Sequence, residues 1–202
     1  MNDLEHQLGQ GPDTAFDVSR FQADLGRRAS QSGLLDVAYA AVDSPLGDLT
    51  VFVTPRGLVR LAYEGEAIDA TLQELAERVS PRILHAPERT DNARRELEAY
   101  FAGRLHAFTQ PVDWSLIRGF AAEVLHATAR IPFGSVSTYG RMAIEAGSPR
   151  AARAAGNALG SNPIPIVVPC HRVLHADGGL GGYSGGLHRK RFLLQLEGTL
   201  PA

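Results

Sequence analysis

The stretch Ile166-Val167-Val168-Pro169-Cys170-His171-Arg172-Val173 contains the only cysteine of the chain. Its β-branched residues predict a short strand that leads into a turn stiffened by Pro169, and a histidine directly follows the thiol. A neighbouring imidazole or cation lowers the pKa of a thiol and favours the nucleophilic thiolate, so this arrangement suits a catalytic cysteine. Free cysteine is also among the most buried residue types, and a purely structural role stays open on these residues alone.

The composition is that of a globular protein with one domain or two small ones. The chain has 202 residues, of which 44% are hydrophobic and 21% charged. No apolar run approaches the ~20 residues of a membrane helix, and the first five residues are acidic rather than signal-like. We therefore expect a cytoplasmic protein without membrane contact, in the reducing setting that a reactive thiol requires. A single cysteine excludes an intramolecular disulfide and a multi-cysteine metal site.

Charge is distributed unevenly along the chain. Residues 1–114 contain 11 basic and 18 acidic residues, whereas residues 115–202 contain 9 basic and 4 acidic ones. A positive half next to a negative one hints at a polyanionic partner for the positive half. The imbalance is modest and fits many proteins that do not bind nucleic acid.

The hydrophobic pattern divides the chain into three parts. Residues 1–35 read as an extension, expected to be mobile, with one helix at 17–29. Residues 36–112 read as a small α/β domain with an antiparallel meander of three strands, at 37–42, 49–53 and 58–63, and two helices, at 67–79 and 92–101. Residues 113–202 read as a mostly helical domain, so the predicted fold class is α/β, of the α+β kind.

Two short helices in the second half form a helix-turn-helix pattern of winged-helix-like character. They are predicted at 138–146 and 150–159, with Ser148 as N-cap and Pro149 in the first turn of the second. The second helix consists mainly of alanine and glycine around one arginine, Arg153. Such a helix can pack tightly on a neighbour, but a lone long side chain among small ones is more natural for contact with an external partner.

Two other motifs do not fit their usual context. Residues 182–186 match G-x-S-x-G, the nucleophile elbow of serine hydrolases. That motif requires a strand before the serine, and here a glycine-rich loop precedes it, so the hydrolase interpretation is excluded. Lys190, the only lysine, lies outside any Walker-type loop.

The second half resembles the 6-O-methylguanine-DNA methyltransferases, also called methylated-DNA-protein-cysteine methyltransferases. The resemblance covers about residues 113–198, and the turn Ser44-Pro45-Leu46-Gly47 resembles part of the family's N-terminal domain. It rests on these segments: Ile131-Pro132-Phe133-Gly134, Ser137-Thr138-Tyr139-Gly140, Ala151-Ala152-Arg153-Ala154, Asn162-Pro163-Ile164-Pro165, Pro169-Cys170-His171-Arg172-Val173, Gly182-Tyr183-Ser184-Gly185-Gly186-Leu187, Lys190, Leu193-Leu194 and Glu197-Gly198.

The resemblance implies a catalytic set. Cys170 would accept an alkyl group from the 6-oxygen of guanine, and His171 would deprotonate the thiol through a bridging water. Glu197 would orient the imidazole, and Asn162 would brace the turn that carries the active-site strand. The thioether is stable and no second cysteine could remove it, so each molecule would act once.

The resemblance also implies double-stranded DNA containing alkylated guanine as partner, bound through the minor groove by a protein expected to be a monomer without DNA. The target base would be flipped out of the duplex. Arg153 would fill the gap, the small residues Ala152 and Gly156 would let the helix approach closely, and Tyr139 would press on the target phosphate. We further expect phosphate contacts from the basic C-terminal half, through Arg172 or the cluster 189–191. For that cluster, a solvated face of the last helix is the open alternative.

The substrate pocket implied by the family is lined by Leu159, Tyr183 and Ser184, and main-chain carbonyls of Cys170 and Val173 would accept the base's amino group. No cofactor is implied. Some relatives bind zinc through N-terminal cysteines, and this chain has none there, so no metal is expected.

Two alternatives belong to another functional class. Alkyltransferase-like proteins bind damaged DNA without transfer, but they lack the cysteine that this chain has. A helix-turn-helix regulator would need base-reading side chains, which the alanine-rich helix hardly offers.

Overall fold

The computed structural model describes residues 18–201. Its first half is a helix followed by a four-stranded sheet with two further helices. In chain order these elements are α1 (Val18–Gln31), β1 (Val37–Val42), β2 (Leu49–Thr54), β3 (Gly57–Tyr63), α2 (Ile68–Arg78), β4 (Ile83–His85) and α3 (Pro87–Phe101).

Strands β1, β2 and β3 form the predicted antiparallel meander. The sheet order is β3-β2-β1-β4, and β4, which the sequence pattern missed, pairs parallel to β1. Gly57 opens β3 with a φ of 138°, and a Cβ there would lie 2.2 Å from the Pro111 carbonyl oxygen. Only glycine tolerates such a close approach of the segment around Pro111, which connects the two halves of the chain, to the β2–β3 hairpin.

The predicted helix at 17–29 is confirmed as α1. It packs on β4, and a Cβ at Gly26 would lie 2.9 Å from the His85 carbonyl oxygen. From residue 18 onward, the predicted extension therefore contains a helix that packs on the sheet. Residues 1–17 lie outside the described residues.

The second half is mostly helical, as predicted. It contains a short 3-10 turn, four helices, a second 3-10 turn and two very short strands. In chain order these are Trp114–Leu116 (3-10), α4 (Gly119–Ala129), β5 (Ser137–Thr138), α5 (Tyr139–Glu145), α6 (Ala152–Gly160), Cys170–Arg172 (3-10), β6 (Val173–Leu174) and α7 (Leu187–Leu196).

Helices α5 and α6 form the predicted helix-turn-helix. The Thr138 hydroxyl accepts a hydrogen bond from the Arg141 amide and caps α5, and Gly147 follows α5 with a φ of 76°. The predicted cap of α6 is wrong. Helix α6 begins only at Ala152, because the Ser148 carbonyl bonds the Ala151 amide in a separate turn.

The strand predicted before Cys170 is also absent. Residues 163–168 form bends and turns, and Ile166 has a φ of 72°, which is rare for a β-branched residue. The segment's hydrophobic side chains are buried, including Ile164, Ile166 and Val168. Burial on all sides, rather than strand pairing, accounts for their apolar character.

The largest of three hydrophobic clusters in the described residues joins the two halves. It includes Val51 and Leu61 from the sheet, Leu97 from α3, and Leu125 and Leu193 from α4 and α7. Backbone bonding adds to this contact, since the Leu61 amide donates to the Pro163 carbonyl at 2.9 Å. The turn before Cys170 therefore rests on an edge strand of the first domain.

Candidate active site

Cys170 opens the 3-10 turn and lies at the inner end of a cleft. The side chain is 4% exposed, and burial raises the pKa of the thiol to about 11, against the opposing effects of Asn162 and Lys190. The resting sulfur is therefore a neutral thiol at pH 7. Any transfer reaction at this sulfur needs a base that removes its proton.

Asn162 braces the turn and also touches the sulfur. Its side-chain nitrogen donates to the Val168 carbonyl at 2.8 Å and to Cys170 Sγ at 3.1 Å, while its side-chain oxygen accepts from the Ile164 amide. The resemblance implied the bracing role, and the contact with the thiol is an addition from the structure. A donor at the sulfur stabilises developing thiolate charge.

His171 and Glu197 form a buried pair behind the cysteine. His171 Nε2 lies 2.9 Å from Glu197 Oε1, and because a carboxylate can only accept, this nitrogen carries the proton. The other ring nitrogen, Nδ1, is buried and has no hydrogen-bond partner among residues 18–201. Burial lowers the pKa of His171 despite the adjacent carboxylate, so the ring is neutral and Nδ1 can accept a proton.

Glu197 collects donors from both halves of the protein. Burial by itself raises the pKa of this carboxyl, but hydrogen bonds from His171, Arg172 and Tyr100 outweigh it and lower the pKa to about 2. Arg172 donates twice to the carboxylate, at 2.8 and 2.9 Å, and the Tyr100 hydroxyl of α3 donates at 2.6 Å. A paired, fully bonded charge is the form in which an ionised carboxylate survives burial.

This geometry corrects the expectation that Arg172 contacts DNA. Its side chain is 6% exposed, and its guanidinium also donates to the Ile131 carbonyl at 2.5 Å. The guanidinium therefore neutralises Glu197 instead of facing a phosphate.

The cleft has a volume of about 650 Å³, enough for a flipped nucleobase. Eight of the predicted site residues line it together with four that the sequence did not single out. The predicted ones are Tyr139, Ala152, Arg153, Gly156, Leu159, Cys170, Tyr183 and Ser184, and the others are Asn157, Gly160, His175 and Gly182. Apart from Cys170, the predicted catalytic residues lie behind this surface.

The rim of the cleft combines small residues with one exposed arginine. Arg153 and Ala154 on α6 are exposed, and the Gly156 Cβ position is 3.7 Å from the Tyr139 ring. A Cβ at Gly181, which has a φ of 66°, would lie 2.4 Å from the Tyr139 hydroxyl. Glycine is therefore required where the loop passes Tyr139.

Lys190 holds the glycine-rich loop from below. Its side chain is buried, and its ammonium group donates to the carbonyls of Val173, Leu180 and Gly182. Burial lowers the pKa of Lys190 to about 8. Because the ammonium group is bonded to carbonyls inside the protein, the expectation that Lys190 contacts phosphate is wrong.

Val173 was expected to form part of the substrate pocket. It does not line the cleft, and its carbonyl accepts from Lys190 at 2.6 Å.

Two models of one protein family match the chain. The 6-O-methylguanine DNA methyltransferase DNA-binding domain matches residues 119–199, and the ribonuclease-like domain of the same family matches residues 37–114. The chain belongs to the 6-O-methylguanine DNA methyltransferase family. Membership makes it a methyltransferase and a DNA-binding protein of DNA repair, and it confirms the family resemblance and the α+β fold class.

Similar proteins support the same conclusion for this methyltransferase. It is 42% identical to a methylated-DNA–protein-cysteine methyltransferase of Mycobacterium bovis over 80% of this chain and 92% of the relative. It is 49% identical to one from Methanosarcina acetivorans over 53% of this chain and 68% of the relative. The solved structure of Mycobacterium tuberculosis OGT in complex with DNA is 40% identical, with a TM-score of 0.68, and covers 82% of this chain and 96% of its own.

No helix within residues 18–201 has the length and apolar character needed to cross a membrane.

Proposed function

We propose that this protein binds duplex DNA through the minor groove, flips out a 6-O-alkylguanine and transfers its alkyl group irreversibly to Cys170. The observation that carries this proposal is the position of the sole thiol. It lies at the inner end of a cleft sized for a base, beside α6 and in front of a buried His171–Glu197 pair. A monomer in the reducing cytoplasm would suffice, because one chain contains every group named here.

The neutral thiol requires a base, and we assign that role to His171. Its proton-bearing Nε2 donates to Glu197, so Nδ1 has a free lone pair on the buried side of the site. We propose that a water molecule passes the thiol proton to Nδ1 as the sulfur attacks the alkyl carbon. The carbon–oxygen bond breaks, its electron pair stays with the base, and a proton returned to the base restores guanine.

The surface around α6 supports base flipping. Small residues, including Ala152 and Gly156, permit close approach to a groove, and Arg153 is the long exposed side chain among them. Arg153 would occupy the gap left in the base stack, and Tyr139 would press on the target phosphate and donate to the flipped base. Minor-groove contact gives little base discrimination, which suits a repair protein that must act in any sequence.

The cleft walls would hold the flipped base. Leu159, Tyr183 and Ser184 all line the cleft. Leu159 would form an apolar side, the Tyr183–Ser184 loop would form the other wall, and the Ser184 amide would lie near the 6-oxygen. Cys170 lines the cleft, and its carbonyl would accept the amino group of the base. The Val173 carbonyl is buried away from the cleft and accepts from Lys190, so we do not assign it to the base.

The proposal predicts one methyl group per chain, on Cys170, because the thioether is stable and the chain has no second thiol. The protein is incubated with excess 6-O-methylguanine duplex and measured by intact-mass and peptide mass spectrometry. Cys170→Ser is the matched control, which should bind the duplex without acquiring the methyl group, since a hydroxyl is a far poorer nucleophile. Binding without methylation of the unmodified protein would instead identify an alkyltransferase-like damage binder, and turnover beyond one equivalent would contradict single use.

A further inference from the structure

Tyr63, the last residue of β3, reaches from the N-terminal domain to the wall of the cleft. Its side chain is buried, and its hydroxyl lies 2.6 Å from the hydroxyl of Tyr183. Burial raises the pKa of both phenols, so both remain protonated and one donates to the other. Tyr183 in turn lines the cleft with Ser184 and Cys170.

Contacts from the C-terminal domain hold the Tyr63 ring in place. The Arg189 guanidinium stacks 4.5 Å from the ring centroid and donates to the carbonyls of Gly185 and Glu64. A Cβ at Gly185 would lie 2.6 Å from the ring. The Tyr63 hydroxyl therefore has a defined position against which Tyr183 can be set.

The loop that carries Tyr183 has little intrinsic order. Six of the ten residues 177–186 are glycines, which lose more conformational freedom on ordering than other residues. Lys190 holds the loop at the carbonyls of Leu180 and Gly182, just before Tyr183. From Tyr183 onward, the bond to Tyr63 restrains the side chain that forms the cleft wall.

We propose that Tyr63 is a positioning residue for alkyl transfer, which acts by holding Tyr183, and with it Ser184, against the flipped base. The proposal rests on the function proposed above and gives the N-terminal domain a part in shaping the cleft wall. Since Tyr63 is not among the residues that line the cleft, it should affect the transfer step rather than DNA affinity.

Tyr63→Phe removes the hydroxyl and keeps the ring that Arg189 covers. We expect the single-turnover rate constant at saturating methylated duplex to fall about threefold to tenfold, the range of one lost hydrogen bond. The dissociation constant for the same duplex, measured with Cys170→Ser in the background, should stay unchanged. Tyr39→Phe is the matched control, since Tyr39 lies in the same sheet and its ring stacks on Phe52 and meets the His85 ring edge-on.

A double-mutant cycle separates positioning from general stability. Tyr183→Phe breaks the same bond from the C-terminal side, so adding Tyr63→Phe to it should cause no further loss of rate. Thermal unfolding of all four proteins is measured alongside. If Tyr63→Phe also lowers the unfolding temperature, the cycle still distinguishes positioning from instability. The proposal requires that Tyr63→Phe has no effect on the transfer rate once Tyr183 is already phenylalanine.

The outcomes are distinct from those of the proposed function. Failure of the unmodified protein to methylate Cys170 overturns the function itself. Normal transfer by the unmodified protein with an equal rate for Tyr63→Phe, or additive losses in the double variant, overturns the positioning role alone.

Discussion

The exposed face of α6 and the buried polar cluster around Glu197 use charge in opposite ways. Arg153 on α6 is exposed, whereas the charged residues Arg172, Lys190 and Glu197 and the neutral His171 are all buried. The buried groups satisfy one another and nearby carbonyls, and the exposed one is left for an external partner. Arg172 and Lys190, two of the nine basic residues in 115–202, are therefore paired inside the protein and are not part of its basic surface.

Burial explains the difference. An uncompensated charge in the interior is expensive, so each buried group there has partners, and removing one member leaves the other unpaired. A charge on the surface is hydrated whether or not DNA is present. Substitutions in the buried cluster should therefore reduce stability. Substitutions on the exposed face of α6 should instead reduce only the activity on duplex DNA.

The largest effect is expected for Glu197→Gln. The change leaves the Arg172 guanidinium buried without its carboxylate, and we expect the free energy of unfolding to fall by about 3–5 kcal/mol. Denaturant unfolding measures this. Glu123→Gln, at an exposed position of α4, is the matched control and should change stability by no more than about 0.5 kcal/mol. Equal stability of the two variants would show that the cluster contributes little to the fold.

The next largest effect is expected for Arg153→Ala. Without the side chain that fills the stack, flipping costs more, and transfer from duplex should slow about 10- to 100-fold, on the scale of the few kcal/mol of unstacking. Transfer from the free 6-O-alkylguanine base and the unfolding midpoint should stay unchanged. Rates are measured by single-turnover methylation, with exposed Arg104→Ala as control. Equal rates on duplex for the variant and the unmodified protein would rule out the stack-filling role.

The smallest effect within the working range is expected from pH. The pKa of His171 lies below its ordinary value of 6.5 and that of the Cys170 thiol is raised to about 11, so neutral imidazole and thiol coexist between them. The transfer rate should be flat from about pH 7 to 9 and fall at lower pH with a midpoint below 6.5. A rate that rises tenfold per pH unit from 7 to 9 would mean that the thiolate forms without the imidazole.

Acid should also destabilise the cluster, and the sign is the same for both groups. Between the ordinary pKa of His171 and its lower folded value, the unfolded chain binds a proton that the folded protein does not, so stability falls as pH decreases below about 6.5. The stabilisation that the ionised Glu197 gives to the folded state is fully present above pH 4.5, its ordinary pKa, and is lost as the pH falls to about 2.

Elements with a strong local pattern were predictable. The meander β1–β3 and the pair α5–α6 follow from short apolar runs, helical periodicity and the turns between them, which depend on neighbours in the chain. β4 has three half-buried residues, too few to show alternation. The run before Cys170 has a strand-like composition, but it is enclosed on all sides as a turn, because composition reports burial and not backbone pairing.

The sequence by itself indicated Cys170 as the candidate nucleophile, the alanine-rich helix with Arg153, and the family, because a sole cysteine in a long motif is a local property. Only the tertiary structure decided which charges face inward. Arg172 and Lys190 read as basic surface in the sequence but are buried donors, and Tyr100 and Tyr63 come to the site from the other domain. These contacts join residues 97 and 120 positions apart, and no local pattern reports a contact over such a distance.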